Sequence, residues 1–218
     1  MPAVLLIHGG RVPSNLQTTP KDWQAFVSFG QLLAASGFVG ITFNHRFYTW
    51  DSLYDSQTDV SDAVEYVRSH ATSFGVDPNR VVLWTVSAGS IFLSQPLREH
   101  PSYLRCLVAY YPEVNLEAAR AVAPPSVTDQ TLKEFSPVLY LTEDAKLPPM
   151  FVARAGLDDP DSNVQVGLFL KLALERNLTI EVMNHPGGHH GFDVEDNNAR
   201  SREIIKRTIE FIREHTQK

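Results

Sequence analysis

The chain has 218 residues, 43% hydrophobic and 20% charged, which is the composition of a folded globular protein and not of a disordered segment. A formal charge of −6 argues against nucleic acid or an anionic membrane surface as partner, and a single cysteine, Cys106, excludes an internal disulfide. No apolar run approaches the roughly 18 residues of a membrane span, and the first residues carry no basic leader or cleavage site, so one soluble cytoplasmic domain over residues 1–218 is expected.

Residues 4–7 form a continuous apolar run that ends in His8-Gly9-Gly10 and reads as a strand covered on both faces. A proline-bearing loop follows, and helical spacing over 23–35 places Trp23, Phe26, Val27 and Leu33 on one side before Ser36-Gly37 stops the helix. A second strand is predicted over 38–43, an aromatic-rich loop over 44–55, and an amphipathic helix over 58–71. Strands are predicted over 80–86, 104–110, 151–155 and 178–183, with helices over 91–98, 164–176 and 199–215. Residues 113–148 carry scattered prolines and read as irregular, with short helical pieces. Strands alternate with helices, and they are short apolar runs. The pattern predicts an α/β three-layer sandwich with a mostly parallel sheet of about six strands. In such sheets chemistry collects at the carboxyl ends of the strands.

One strand end stands out. The run 80–86 leads into Ser87-Ala88-Gly89, and a helical segment follows at once. A serine at the apex of a tight strand–helix turn is pushed clear of the sheet, and the glycine two residues on lets the new helix pass close to the strand. A plain turn would read the same, so the partners decide. A serine hydroxyl needs a base, and the base needs an acid to orient it. The strand over 151–155 ends in Gly156-Leu157-Asp158-Asp159, which offers Asp158 as the acid with Asp159 as the alternative; Asp161 or Ser162 suits the cap of the next helix. The last strand runs into His185-Pro186-Gly187-Gly188-His189-His190-Gly191-Phe192, a flexible loop with a histidine pair that could reach the serine. His185 and His189 are four apart, but Pro186, Gly187 and Gly188 forbid the helix that a metal pair would need. No metal and no cofactor is expected.

His-Gly-Gly at 8–10, Thr-Val-Ser-Ala-Gly at 85–89, Ala-Gly-Leu-Asp-Asp at 155–159 and His-His-Gly-Phe at 189–192 stand in the order Ser, Asp, His. With these motifs the chain resembles the α/β-hydrolase superfamily, in its small esterase and lipase branch. The resemblance implies Ser87 as nucleophile, His190 as base with His189 the alternative, and Asp158 as the orienting acid. It also implies an oxyanion hole built from the Ala88 N–H and that of Gly9 or Gly10. Thr85 stands where the family usually has glycine. The family also has two strands before its His-Gly-Gly strand and often a large cap, and neither is seen here. The strand over 38–43 would then be an open sheet edge, a liability that a loop or a second copy of the chain would cover. The expected reaction is hydrolysis of short acyl esters, a small-molecule substrate, with Phe47, Tyr48 and Trp50 as candidate walls of the substrate pocket. The competing readings are a peptidase resembling prolyl-oligopeptidase catalytic domains and a non-catalytic binding protein on the same fold.

Overall fold

A computed structural model describes residues 1–142 and 147–217. Six short strands form, β1 (Ala3–Ile7), β2 (Val39–Thr42), β3 (Val81–Val86), β4 (Leu104–Tyr110), β5 (Met150–Ala155) and β6 (Ile180–His185), most of them apolar runs. Every neighbouring pair is parallel, in the order β2-β1-β3-β4-β5-β6. The sheet is therefore wholly parallel, as expected of strands that bury both faces.

The helices are α1 (Gln24–Ala35), α2 (Leu53–Ser69), α3 (Ala71–Phe74), α4 (Ser94–Glu99), α5 (Asp129–Glu134), α6 (Pro160–Glu175), α7 (Phe192–Glu195) and α8 (Ala199–Thr216). Side chains alternate across each strand, which sorts the core into two layers. Ala3, Leu5 and Ile7 belong to one layer of the core, together with Val60, Val64 and Val67 of α2 and Val166, Phe169 and Ala173 of α6. Val4 and Leu6 face the other way, toward Leu33 of α1 and Ile204, Ile209 and Ile212 of α8. Cys106 is fully buried in this second layer, where burial pushes its thiol well above the usual range.

The winding reverses between β1 and β3. From β1 the chain crosses to β2 on one side, with α1 on one face; from β3 it proceeds to β4 on the other side. The loops after β1 and β3 therefore diverge and leave a crevice at the carboxyl edge, where doubly wound sheets bind ligands. Gly9, Gly10 and Ser87 all stand there.

Several boundaries differ from the sequence reading. The aromatic loop is shorter than expected, because a 3₁₀ turn at Trp50–Ser52 leads into α2 five residues early. Thr49 and Ser52 cap that start reciprocally, a signal written in the sequence as Thr-x-x-Ser. The segment after Ser87 is a 3₁₀ helix over Ser87–Leu93 before α4 begins. Of the irregular stretch 113–148, residues 143–146 lie outside the described residues; the rest holds α5 and two 3₁₀ turns, Leu116–Ala119 and Pro137–Tyr140. β2 is an edge strand, hydrogen-bonded to β1 alone among the described strands. A groove of about 730 Å³ runs between it and α2, lined by Ile41, Phe43, Asp59 and Tyr66 among others.

Candidate active site

Ser87 follows β3 directly with φ of 52°, a left-handed conformation costly for a residue with a Cβ and held only by a well-determined surrounding. Two glycines make that turn possible. A Cβ on Gly89 would sit 2.4 Å from the His8 carbonyl oxygen, so the helix can pass β1 only with glycine there. A Cβ on Gly9 would sit 2.6 Å from Ser87 Cβ, so the loop after β1 is pressed against the serine. Thr85 is accommodated because its hydroxyl is used: it is fully buried, donates to the Val108 carbonyl of β4 at 3.2 Å and lies 2.8 Å from Ser90 Oγ.

The loops after β3, β5 and β6 bring three polar side chains into line. His190 Nε2 lies 2.8 Å from Ser87 Oγ, and His190 Nδ1 lies 2.8 Å from Asp158 Oδ2. The Asp158 side chain is 9% exposed against 48% for His190, so the carboxylate is shielded while the imidazole opens to the mouth. The Asp159 N–H donates to Asp158 Oδ1 at 2.8 Å and fixes the carboxylate plane.

The alternatives are occupied elsewhere. Asp159 caps α6, accepting from the Asp161 and Ser162 N–H groups at 2.9 and 3.3 Å, so the cap is Asp159 and not Asp161 or Ser162. Proline at the first position of α6 leaves Asp159 as the natural cap, a signal the sequence carried. His189 turns to Asp196, with Nδ1 3.8 Å from its Oδ1. His185 is buried, and its Nε2 lies 3.2 Å from both Asn198 Oδ1 and Ser201 Oγ at the start of α8.

Backbone donors surround the serine. Ala88 lies in the first turn of the 3₁₀ helix that begins at Ser87, where N–H groups have no partner within the helix. The Gly9 and Gly10 N–H groups make no hydrogen bond among the described residues. Behind the imidazole, Tyr111 packs its ring 4.6 Å from that of His190 and donates its hydroxyl to Asp193 Oδ1 at 2.6 Å. Burial raises the Asp193 carboxyl above its ordinary range, opposed by the Tyr111 hydrogen bond and by the charge of His190. Partial desolvation likewise raises Glu113, whose N–H donates to the Ser87 carbonyl at 3.2 Å.

A largely apolar cavity of about 330 Å³ opens on Ser87 and His190, walled by Trp23, Phe26, Phe29, Tyr111 and the Gly9-Gly10 loop. The three aromatics proposed from sequence do not line it. Phe47 is buried in the core, edge-on to Phe92, and Tyr48 is exposed. Trp50 lies under the Arg11 guanidinium at 5.2 Å. A second, more polar hollow of about 210 Å³ is lined by Glu113, Asn115, Asp159 and Asp161.

Comparison with known proteins agrees with this architecture. A BD-FAE family model matches residues 1–94, which takes in the Gly9-Gly10 loop and Ser87 but not Asp158 or His190. Thermogutta terrifontis esterase 2 phosphoramylated by tabun superposes with a TM-score of 0.79 at 20% identity, covering 98% of this chain and 83% of that one. The butyrate-bound structure of that esterase gives 0.76 at 21% identity, with the same coverage of 98% and 83%. The chain has the α/β-hydrolase fold. Gut esterase 1 of Caenorhabditis elegans is 26% identical over 104 residues, a match that takes in 44% of this chain and 18% of the length of that relative. As an α/β-hydrolase fold the molecule has Ser87 where β3 meets its helix, and among the described residues no inserted cap lies over it. No described helix is long and apolar enough to cross a membrane.

Proposed function

We propose that the protein is a serine hydrolase that cleaves carboxylic esters through an acyl-enzyme. The observation that carries this reading is the continuous chain Ser87 Oγ, His190, Asp158, closed by two contacts of 2.8 Å. In the cycle, Ser87 attacks the ester carbonyl while His190 Nε2 takes its proton. Asp158 holds the Nδ1–H tautomer and stabilises the imidazolium. The alcohol leaves with the proton returned by His190, and water then attacks the acyl-enzyme with His190 again as base. The oxyanion is received by the Ala88 N–H together with that of Gly9 or Gly10, each donor worth roughly 3–4 kcal/mol in the transition state.

The apolar cavity takes the acyl group in this reading. Its volume of about 330 Å³ is at the lower end of the ~300–1,000 Å³ usual for ligand pockets, which favours short acyl chains. Propionate and butyrate are the ligands named in two of the Thermogutta esterase structures, and they support the same size class here.

The test is hydrolysis of p-nitrophenyl acetate, butyrate and decanoate by the protein beside Ser87→Ala. Turnover of the two short esters should exceed that of the decanoate and fall about a thousandfold or more in the variant. Equal turnover by the variant would remove Ser87 from the mechanism and the reading with it.

A further inference from the structure

His8 and His45 are 1% and 2% exposed, and their rings stack face to face with centroids 3.6 Å apart and planes within 7°. His45 comes from the loop after β2, far from the serine in sequence, and Phe43, Phe47 and Phe92 surround it. An imidazole in such a setting loses its hydration, and a phenylalanine-like side chain would pack there at less cost. The nitrogen atoms show what the histidines do instead. His45 Nε2 lies 3.1 Å from the His8 carbonyl oxygen, and His8 Nδ1 lies 3.1 Å from the Gly9 carbonyl oxygen. A carbonyl can only accept, so His45 is the Nε2–H tautomer and His8 the Nδ1–H tautomer. Burial keeps both rings neutral, with His45 depressed to about 3 and His8 lowered in the same direction.

The two carbonyls that are held belong to the peptides His8–Gly9 and Gly9–Gly10. Because a peptide is planar, fixing its C=O direction fixes its N–H direction. Those N–H groups are the ones on Gly9 and Gly10. The loop is tied down at its far end too, by the Val12 N–H to the Phe47 carbonyl at 3.0 Å and by Arg11 over Trp50. We propose that His45 is a positioning residue, the outer half of a neutral imidazole clamp that sets the two glycine peptides as oxyanion donors beside Ser87. The inference rests on the hydrolytic reading above. It also gives the aromatic loop after β2 a role other than lining the substrate pocket: it braces the oxyanion loop from outside.

The experiment compares p-nitrophenyl acetate with its thiono analogue in the full-length protein, His45→Phe and His45→Asn. Sulfur is a poorer acceptor than oxygen, so the thiono ester depends less on oriented N–H donors. His45→Phe keeps a packed ring without the donor. It should lower kcat for the oxygen ester about 10- to 100-fold, with KM within about threefold and the oxygen-over-sulfur preference falling by a similar factor. His45→Asn, which still carries an N–H, should recover part of the loss. Full activity in His45→Phe, or equal losses on both esters, would overturn the proposal. Imidazole ¹⁵N spectra of the unaltered protein supply a readout that needs no activity. A neutral Nε2–H His45 from pH 8 to pH 5 supports the clamp, and an Nδ1–H tautomer or an imidazolium in that range overturns it. If neither ester is turned over in a Ser87-dependent way, the hydrolytic reading has failed, and the spectra still judge the clamp geometry separately.

Discussion

Two loops at the carboxyl edge of the sheet carry histidines and treat them in opposite ways. After β6, the His190 side chain is 48% exposed and stands between a carboxylate and a hydroxyl. After β2, His45 is 2% exposed, stacked on His8, with only a backbone carbonyl to address. A partner carboxylate and access to water let an imidazole gain and lose a proton; burial among aromatic rings forbids it. The first loop offers its imidazole a carboxylate and a hydroxyl, and the second withdraws its imidazole from water. In the proposed mechanism the same side chain serves as a base in one place and as a rigid hydrogen-bond donor in the other.

The largest expected effect tests the first loop. Asp158→Asn keeps the shape of the site but removes the negative charge that favours the Nδ1–H tautomer and the imidazolium. It should lower kcat/KM by about 10³–10⁴-fold, read from ester hydrolysis. Its neighbour provides the control. Asp159→Ala removes the cap of α6 and should cost ~1 kcal/mol in thermal or urea unfolding while leaving kcat within about threefold. If the two variants exchanged these outcomes, the acid would be Asp159 and the division of labour between the two carboxylates would be reversed.

The second loop is tested by acid. His45 is held at about 3 in the folded protein against an ordinary value near 6.5, so the unfolded chain takes up its proton first. Protonation therefore favours unfolding. His45 has no such effect above about pH 6.5. Below it, folding free energy should decline by up to about 1.4 kcal/mol per pH unit toward pH 3, with His8 adding in the same sense. Urea unfolding at pH 7.5, 6 and 5 measures this slope, and His45→Phe should make it shallower. An unchanged slope in the variant would mean that His45 is protonated in the folded protein, and the contrast between the loops would disappear.

The two loops were not equally legible in the sequence. Ser87, Asp158 and His190 each follow a strand in a turn whose glycines and chain order signal their placement, so local features sufficed. The parallel sheet was equally plain, because β1 is an unbroken apolar run and β3, β4 and β5 are short, mostly apolar ones. His45 carried no such mark. Its partner, His8, is 37 residues away, and the stack exists only because β2 pairs beside β1. Phe47, Tyr48 and Trp50 mislead for the same reason: aromatics near a strand end read as a pocket wall, whereas the cavity that opens on Ser87 is walled by Trp23, Phe26 and Phe29. Helical spacing puts Trp23 and Phe26 on one side of the helix predicted over 23–35 but does not single out Phe29. What turned it toward Ser87 was the reversal of winding beside β1, a property of the sheet order and not of the local sequence.

Asp193 lies between the two regimes, on α7 just after the His190 loop and largely withdrawn from water, and it has the smallest expected effect. Its carboxylate accepts from Tyr111, whose ring packs on His190 and whose backbone has φ of 35°. Asp193→Asn leaves an acceptor oxygen for the Tyr111 hydroxyl, so the strained tyrosine and the imidazole behind it should stay in place. Only the charge is lost. An anion near His190 favours the imidazolium, so its removal should let the base become neutral at lower pH. The rising limb of the pH–rate profile should move to lower pH, with kcat at its plateau reduced only about two- to threefold. Stability should change in the opposite sense to activity. Because burial raises the carboxyl, its ionisation costs folding free energy as pH rises through that range, and the amide should be at least as stable at neutral pH. A limb that moved to higher pH would show that Asp193 acts on His190 through something other than its charge, and the Tyr111 contact would then be the place to look.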